Sequence, residues 1–236
     1  MGDLRNDAER HAAIAPLLAG LGESDRRRVI EACIRRRFRR GEALFLEGDP
    51  GESLHFLTSG YVVVQVTATF GETATMNVLG APDTIGELAL LDRHGRRSAS
   101  VIAITPVETL ALDRGAFERL RTEHPVVERM LVTILSVHVR RLSDRLTEAL
   151  YLPAETRVFL RLADLCRVFG GETTGTAIPV TQSDLAAMAG TTRPTVNRAL
   201  QTAQSAGAIL LGRGRIEVIK PSVLERLIAS PTHSWS

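Results

Sequence analysis

The stretch from Gly41 to Leu88, "GEALFLEGDPGESLHFLTSGYVVVQVTATFGETATMNVLGAPDTIGEL", constrains the fold more than any other part of the chain. Its short apolar runs are cut at Gly48-Asp49-Pro50-Gly51, Ser59-Gly60, Gly71 and Gly80-Ala81-Pro82. Turn residues at intervals of roughly 8–12 break any helix of ordinary length and suit strands joined by tight turns. The spacing predicts an antiparallel β-sandwich or roll, closed by further strands at Ser98–Ile104 and Val107–Leu112. Helical period brackets this block. Upstream, within Glu9–Ile34, Ile14, Leu17, Leu18 and Leu21 recur at near 3.6-residue spacing, and Ser24 is placed to cap a second helix. Downstream, helical period returns at Phe117.

It then holds from Val126 to Leu150. Within that span Val132, Leu135, Val139, Leu142, Leu146 and Ala149 follow alternating three- and four-residue steps, the a/d seam of a helix that pairs with another. Leu131, Ile134 and Leu150 lie off the seam, so two faces are apolar. A core helix would need only one. A helix that packs on its own β-domain and also on a twin needs both, and a homodimer is expected. Pro153 disfavours helical geometry at Leu152, which places a hinge at Tyr151–Pro153.

In the last third, "LPAETRVFLRLADLCRVFG" reads as a helix ending at Gly170-Gly171. Two shorter helices follow, Ser183–Ala189 and Arg193–Ser205, separated by Gly190 and the turn Thr191-Thr192. Ala187 sits at the close packing point, and Val196 and Leu200 face inward on the second helix. This is the helix-turn-helix pattern, which a generic three-helix core would also satisfy. "AILLGRGRIEVI" then supplies two strands around Gly212-Arg213-Gly214, a basic hairpin wing.

"IGELALLDRHGRRSAS", Ile85–Ser100, sets a Gly-Glu pair ahead of an Arg-Ser pair in an otherwise apolar region. A solvated surface ion pair is one reading. A pocket for a small anion carrying hydroxyl groups is the other.

Composition narrows the function classes. A chain of 236 residues with 44% hydrophobic content forms one large or two modest domains. No stretch approaches the ~18 apolar residues of a membrane helix, and the charged start "MGDLRNDAER" lacks the apolar core of a signal peptide, so a cytoplasmic protein without membrane contact is expected. Cys33 and Cys166 stand far apart without metal-ligand spacing, and His55, His94, His124 and His138 are scattered, so no metal is expected. From Tyr151 onward nine Arg or Lys stand against six Asp or Glu, a net of +3 within a whole-chain charge of +2. That sign suits a C-terminal part that meets nucleic acid.

In chain order, "GEALFLEGD", "IGELALLDRHGRRSA", the long helix and "TRPTVNRAL" resemble the Crp/Fnr (cyclic-AMP receptor protein) family of bacterial transcription regulators. The resemblance covers nearly the whole chain. It implies an α+β fold: an N-terminal cyclic-nucleotide-binding β-roll over residues 1–124, a long dimerisation helix and hinge over 125–152, and a C-terminal winged helix-turn-helix over 153–236. It implies double-stranded DNA with a pseudo-palindromic site, a second copy of the chain and RNA polymerase as partners, and cyclic AMP or a related cyclic nucleotide as effector.

The residues then take expected roles. Gly86 through Leu90 resembles the family's short helix, with Gly86, Glu87 and Leu88 offering backbone amides to the phosphate and Gly86 allowing close approach. Arg97 would pair with the phosphate oxygens and Ser98 add a hydroxyl. Glu87 would accept from the ribose 2′-hydroxyl, with Arg97 compensating its charge. Cyclic-AMP binders hold the adenine with a Thr-Ser pair on the long helix. Counting without gaps between Pro125 and Arg157 places Leu142-Ser143 there, so Ser143 is kept and the threonine is lost; Thr147, about one turn on, is a candidate substitute. At the DNA end Thr192 would cap the recognition helix, and Arg193 and Arg198 would read guanines. Thr181, Ser183 and Thr195 would contact phosphates, as would Arg213 and Arg215 on the wing. Pro194 stands where many relatives have Glu, removing a contact to cytosine. Three other readings remain open: a regulator that binds DNA without nucleotide, a cyclic-nucleotide regulatory subunit acting on a partner protein, and an enzyme using Glu87. No nucleophile, metal cluster or second catalytic carboxylate accompanies Glu87, which argues against the last.

Overall fold

The computed structural model describes residues 14–18, 20–67, 73–91, 95–170, 175–212 and 215–229. Positions 9–13 of the expected N-terminal helical region lie outside them, as does Arg213. By its contacts the chain divides into two compact units, Met1–Thr73 with Leu79–Arg141 and Ala74–Val78 with Leu142–Ser236.

The glycine-punctuated block folds into antiparallel strands: β1 (Ile34–Phe38), β2 (Ala43–Phe45), β3 (Ser53–Ser59), β4 (Tyr61–Thr67), β5 (Thr73–Gly80), β6 (Thr84–Ile85), β7 (Ser100–Ala103) and β8 (Val107–Asp113). They form two four-stranded sheets, ordered β1-β8-β3-β6 and β2-β7-β4-β5. Helix α1 (Glu23–Glu31) precedes them; α2 (Leu88–Leu91), α3 (Arg114–Glu123) and α4 (Val127–Tyr151) are interleaved or follow. Asp113 caps α3 by accepting from the Ala116 amide at 2.7 Å.

β3 explains how the core is partitioned. Side chains alternate faces along a strand, and both faces of β3 are buried. Leu54 and Phe56 join Leu112, Phe117, Val127, Met130, Leu131 and Ile134 under the helices. Leu57 points the other way, into the roll with Val62, Ile85, Val101 and Val107. Ser53 and His55 share Leu57's parity, so two polar side chains enter the roll interior. The expected two-faced character of α4 holds: Val127, Met130, Leu131 and Ile134 are buried, while Val132, Val139, Leu142 and Leu146 are exposed, Leu142 at 68%.

Three local expectations are corrected. Ile34 begins strand β1 rather than ending a helix; "IRRRF" lacks apolar alternation, and its strand state comes from pairing with β8 and from Glu108, which accepts from Arg35 at 2.5 Å and Arg37 at 2.7 Å. Ser24 does not cap α1: Gly22 holds that position without a side-chain bond, and Glu23 and Asp25 face the amide dipole instead. The loop before the helix-turn-helix contains a strand, β9 (Thr176–Ile178), too short to leave a periodic signal.

In the second unit α5 (Ala154–Phe169) follows the break at Leu152-Pro153, then α6 (Gln182–Ala189), α7 (Arg193–Ser205), β10 (Ile209–Gly212), β11 (Arg215–Val218) and α8 (Pro221–Ala229). The wing strands β10 and β11 are antiparallel, and β9 adds to β11 through Ile216↔Ile178.

His55 gives the fold a pH dependence. It is 6% exposed, with the Phe38 and Phe45 rings at 6.3 and 6.1 Å. Burial, then the charges of Arg97 and Arg36, push its pKa down to about 4. The unfolded imidazole takes its proton first as pH falls. The stabilisation is therefore complete above about pH 6.5 and is lost through the window below it. Between pH 7.5 and 4.5 this group alone should remove about 2–3 kcal/mol of stability in urea unfolding, and the His55→Phe variant should lack that component. Equal pH slopes for the two proteins would refute it.

Candidate functional site

The first candidate site is built around Arg97. The "EGDPG" turn after β2 holds its backbone: Gly48 adopts φ +85°, its amide donates to Arg97 O at 2.9 Å, and the Arg97 amide donates to Asp49 O at 2.9 Å. The side chain runs inward and is 6% exposed. Nη1 donates to Ser53 O at 2.8 Å and Gly86 O at 3.3 Å, and Nη2 to Ser53 Oγ at 3.0 Å. The guanidinium carbon lies 4.0 Å from the centre of the Phe45 ring, a cation–π contact. Among the described residues Nε is buried without a partner. Burial pulls the Arg97 pKa below its ordinary value, opposed by Asp49 and Glu87.

Gly86 has a second role beside the expected one. It adopts φ +81°, and a Cβ there would collide with Arg97 Nη1 and stand 2.9 Å from Ser53 O. Only glycine meets both demands, so Gly86 admits the guanidinium as well as any ligand. The short helix is the single turn α2, beginning at Leu88, so its macrodipole is slight.

Glu87 is 8% exposed, but Arg97 does not bond it. Arg97 compensates the Glu87 charge without a hydrogen bond, and His138 Nδ1 on α4 lies 3.1 Å from Glu87 Oε1. Arg97 has its Nη groups turned to Ser53 and Gly86, which leaves Glu87 to the helix. One turn on, Arg141 pairs with Asp83 at 2.8 Å. Behind Arg97 a buried chain continues, Ser53 Oγ to His55 Nε2 at 3.0 Å and His55 Nδ1 to Thr109 Oγ1 at 3.1 Å. Since Arg97 donates to the Ser53 hydroxyl, every group is satisfied if Ser53 donates to Nε2 and Nδ1–H donates to Thr109. Gly86, Glu87 and Arg97 thus come together, joined by Ser53, Phe45 and His138, which sequence reasoning passed over. Ser98 is exposed beside them, and Leu88 is exposed at the start of α2. Ser143 is exposed on α4 in the second unit, as is Thr147, whose hydroxyl donates to Ser143 O at 3.0 Å.

The second candidate site lies on α6 and α7. Gly190 closes α6 in the left-handed region at φ +58°, the conformation that turns the chain into α7. Arg157 of α5 fastens this turn, donating to Ala189 O at 2.9 Å, Gly190 O at 3.0 Å and Leu152 O at 3.0 Å, so terminal carbonyls gain partners. Ala186 and Ala189 are buried and Ala187 half-buried at the packing point. Thr181 caps α6 in a reciprocal box: the Asp184 amide donates to Thr181 Oγ1 at 3.1 Å, and the Thr181 amide donates to Asp184 Oδ2 at 3.0 Å. Burial would raise the Asp184 pKa, but hydrogen bonds from Thr181 and Thr75 outweigh it and hold it low. Both donors of Thr181 are committed to Asp184, so of the two expected phosphate contacts on α6, exposed Ser183 is the one whose hydroxyl has no partner among the described residues.

Thr192 stands at the N-cap of α7 as expected, but without the capping bond; its hydroxyl pairs with that of Thr195 at 3.1 Å. Arg193 and Pro194 open the helix, and both are exposed, as is Arg198. Val196, Ala199, Leu200 and Ala203 are buried on the opposite stripe. A groove of ≈ 660 Å³ opens along the outer face, lined among others by Thr192, Pro194, Asn197, Arg198 and Gln201. Arg215 is exposed at the start of β11. Among the described residues no His, Cys, Asp and Glu group is arranged to hold a metal, and no helix is long and apolar enough to cross a membrane.

Comparison with known proteins finds two matching domains along the chain. Residues 35–124 match the cyclic nucleotide-binding domain and residues 156–227 the Crp-like helix-turn-helix domain. The chain is 32% identical over 213 residues to the cyclic AMP receptor protein of Thermus thermophilus, covering 90% of this chain and 96% of that one. It is 32% identical over 193 residues to the CRP-like cAMP-activated global transcriptional regulator of Mycobacterium tuberculosis, covering 80% and 84%. The crystal structure of the Thermus thermophilus catabolite activator protein, 32% identical, superposes over 91% of this chain and 98% of that chain with a TM-score of 0.52. The two domain matches and the relatives at 32% identity show the chain to be a member of the Crp/Fnr family of cyclic nucleotide-binding transcription regulators.

Proposed function

We propose that this regulator is a cytoplasmic homodimer that binds cyclic AMP or a close relative in the β-roll and, in response, a pseudo-palindromic site in double-stranded DNA. The observation that carries the effector reading is Arg97, a buried cation whose Nε lacks a partner among the described residues. A buried unpaired donor on a cation is costly, and a cyclic phosphate supplies both charge and acceptor oxygens. Glu87, beside it, can accept from a ribose hydroxyl. In this reading residues 1–124 form the sensor, 125–152 the dimerisation helix and hinge, and 153–236 the DNA-binding domain. The twin helices set two recognition helices about 34 Å apart, matching successive major grooves. RNA polymerase is the partner through which DNA binding acts on transcription. The chain works by binding and carries out no catalysis.

The homodimer reading rests on the seam. Val132, Val139, Leu142 and Leu146 are all more than half exposed in the single chain, a continuous apolar stripe that a second copy would cover. A second reading, DNA binding without nucleotide, is favoured by two specific features. Leu142 replaces the threonine expected to bond adenine, while His138 already occupies Glu87.

Titration calorimetry with cyclic AMP and cyclic GMP separates the two readings. For Arg97→Ala, loss of a charged hydrogen-bonding group should weaken binding by about 1.5–3 kcal/mol, roughly ten- to hundred-fold. Absence of millimolar-range binding by the wild type would hand the case to the nucleotide-independent reading. Leu135→Asp and Leu142→Asp should each split the dimer in sedimentation, since each places like charges against one another across a two-fold axis at about 3–5 kcal/mol per uncompensated charge. Dimers that persist in both would put the interface elsewhere.

A further inference from the structure

Two arginines account for guanine recognition on α7, yet neither is centred on the face that meets a groove alone. At about 100° per residue, the buried stripe of Val196, Ala199, Leu200 and Ala203 defines an opposite, outward direction. Arg198 lies roughly 30° to one side of that direction and Gln201 roughly 30° to the other, with Pro194 between them. Asn197 is turned further away, by about 70°, and has a shorter side chain. Pro194 has no hydrogen-bonding group to offer. Gln201 is therefore the outward partner of Arg198.

The neighbouring polar groups are already engaged. The Thr195 hydroxyl pairs with Thr192 at 3.1 Å, and the Thr202 hydroxyl donates to Arg198 O at 3.2 Å. Gln201 is exposed, and among the described residues its amide makes no hydrogen bond. It lines the same groove as Arg198. No acidic residue stands in the first turn of the helix. A carboxamide carries one donor and one acceptor in a plane, the complement of adenine N7 and N6 in the major groove.

We infer that Gln201 is a specificity-determining residue that reads an adenine next to the guanine read by Arg198. This rests on the reading of α7 as a recognition helix. Three residues of helix advance about 4.5 Å against about 3.4 Å per base pair, so the adenine lies one base pair beyond that guanine, on the side away from the base read by Arg193. The half-site thus gains a determinant at its inner or outer end that two arginines and a proline leave unassigned.

Random-site selection with the full-length protein, with and without cyclic AMP, tests this, followed by quantitative binding of Gln201→Ala and Arg198→Ala. Alanine is a strong helix former at an exposed position, so Gln201→Ala keeps α7 folded. The wild type should select adenine at that one position. Gln201→Ala should lose the preference there, a fall of about five- to 150-fold in discrimination, with the guanine preferences and the affinity for unrelated DNA unchanged. A uniform loss across all sequences would make Gln201 a phosphate contact and overturn the inference, as would an unchanged base profile. A selected site with an Arg198-dependent guanine but no Gln201-dependent neighbour sinks only this inference. No selected site under either condition sinks the recognition-helix reading along with it.

Discussion

The sensor is organised around one buried guanidinium. Arg97 enters the roll because the Gly48–Pro50 turn clamps its backbone from one side and Ser53, Gly86 and Phe45 receive its head from the other. A cation in that position is tolerable because both Nη groups have hydrogen-bond partners and carboxylates stand near, Asp49 and Glu87 supplying the latter. Several otherwise unrelated features follow from it. Gly86 has no side chain because Arg97 stands where a Cβ would be. Ser53 carries a hydroxyl on an interior face, and His55 remains neutral behind it, since a second buried cation beside Arg97 would be unfavourable. Among the described residues the buried Nε is the one group of this network left without a partner.

The long helix α4 runs from that site to an exposed apolar stripe. One stripe is embedded in the core of the first unit through Val127, Met130, Leu131 and Ile134. Between this stripe and the exposed seam, His138 reaches Glu87 and Arg141 reaches Asp83. A ligand that engages Glu87 must share the carboxylate with His138, and so acts on the helix that carries the seam. Coupling between sites needs only such a differential contact. In the DNA-binding unit, Arg157 has a comparable organising role, because its three hydrogen bonds tie α5 to the turn that orients α7.

How far the chain discloses itself depends on the range of the interaction concerned. Local periodicity and turn chemistry are written in neighbouring residues. The strands from Ala43 to Ile85, the two-faced helix α4, the break at Pro153 and the helix α7 from Arg193 to Ser205 were all legible from spacing alone. Gly86, Glu87 and Arg97 were legible through family likeness, because the motif keeps them within a dozen residues of each other. Strand β1 was not legible. A run of three arginines becomes a strand only because β8 lies beside it and Glu108 gathers two of the charges. Ser24 misled for the opposite reason: the residue type suits a cap, but the cap position falls two residues earlier, at Gly22.

By itself, the sequence determined the strands from Ala43 to Ile85 and the helices α4 and α7, where the chain bends, and which residue types stand ready for an anion and for base edges. Only the tertiary structure decided which of those residues touch. The pairing of Glu87 with His138 rather than Arg97 and the Ser53–His55–Thr109 chain behind Arg97 join groups that are distant in sequence or have several partners in reach. The physical reason is that a charged or polar side chain enters the interior with most of its hydrogen bonds made, and the partner that is geometrically available is fixed by packing across strands and helices. Local propensity does not encode that choice.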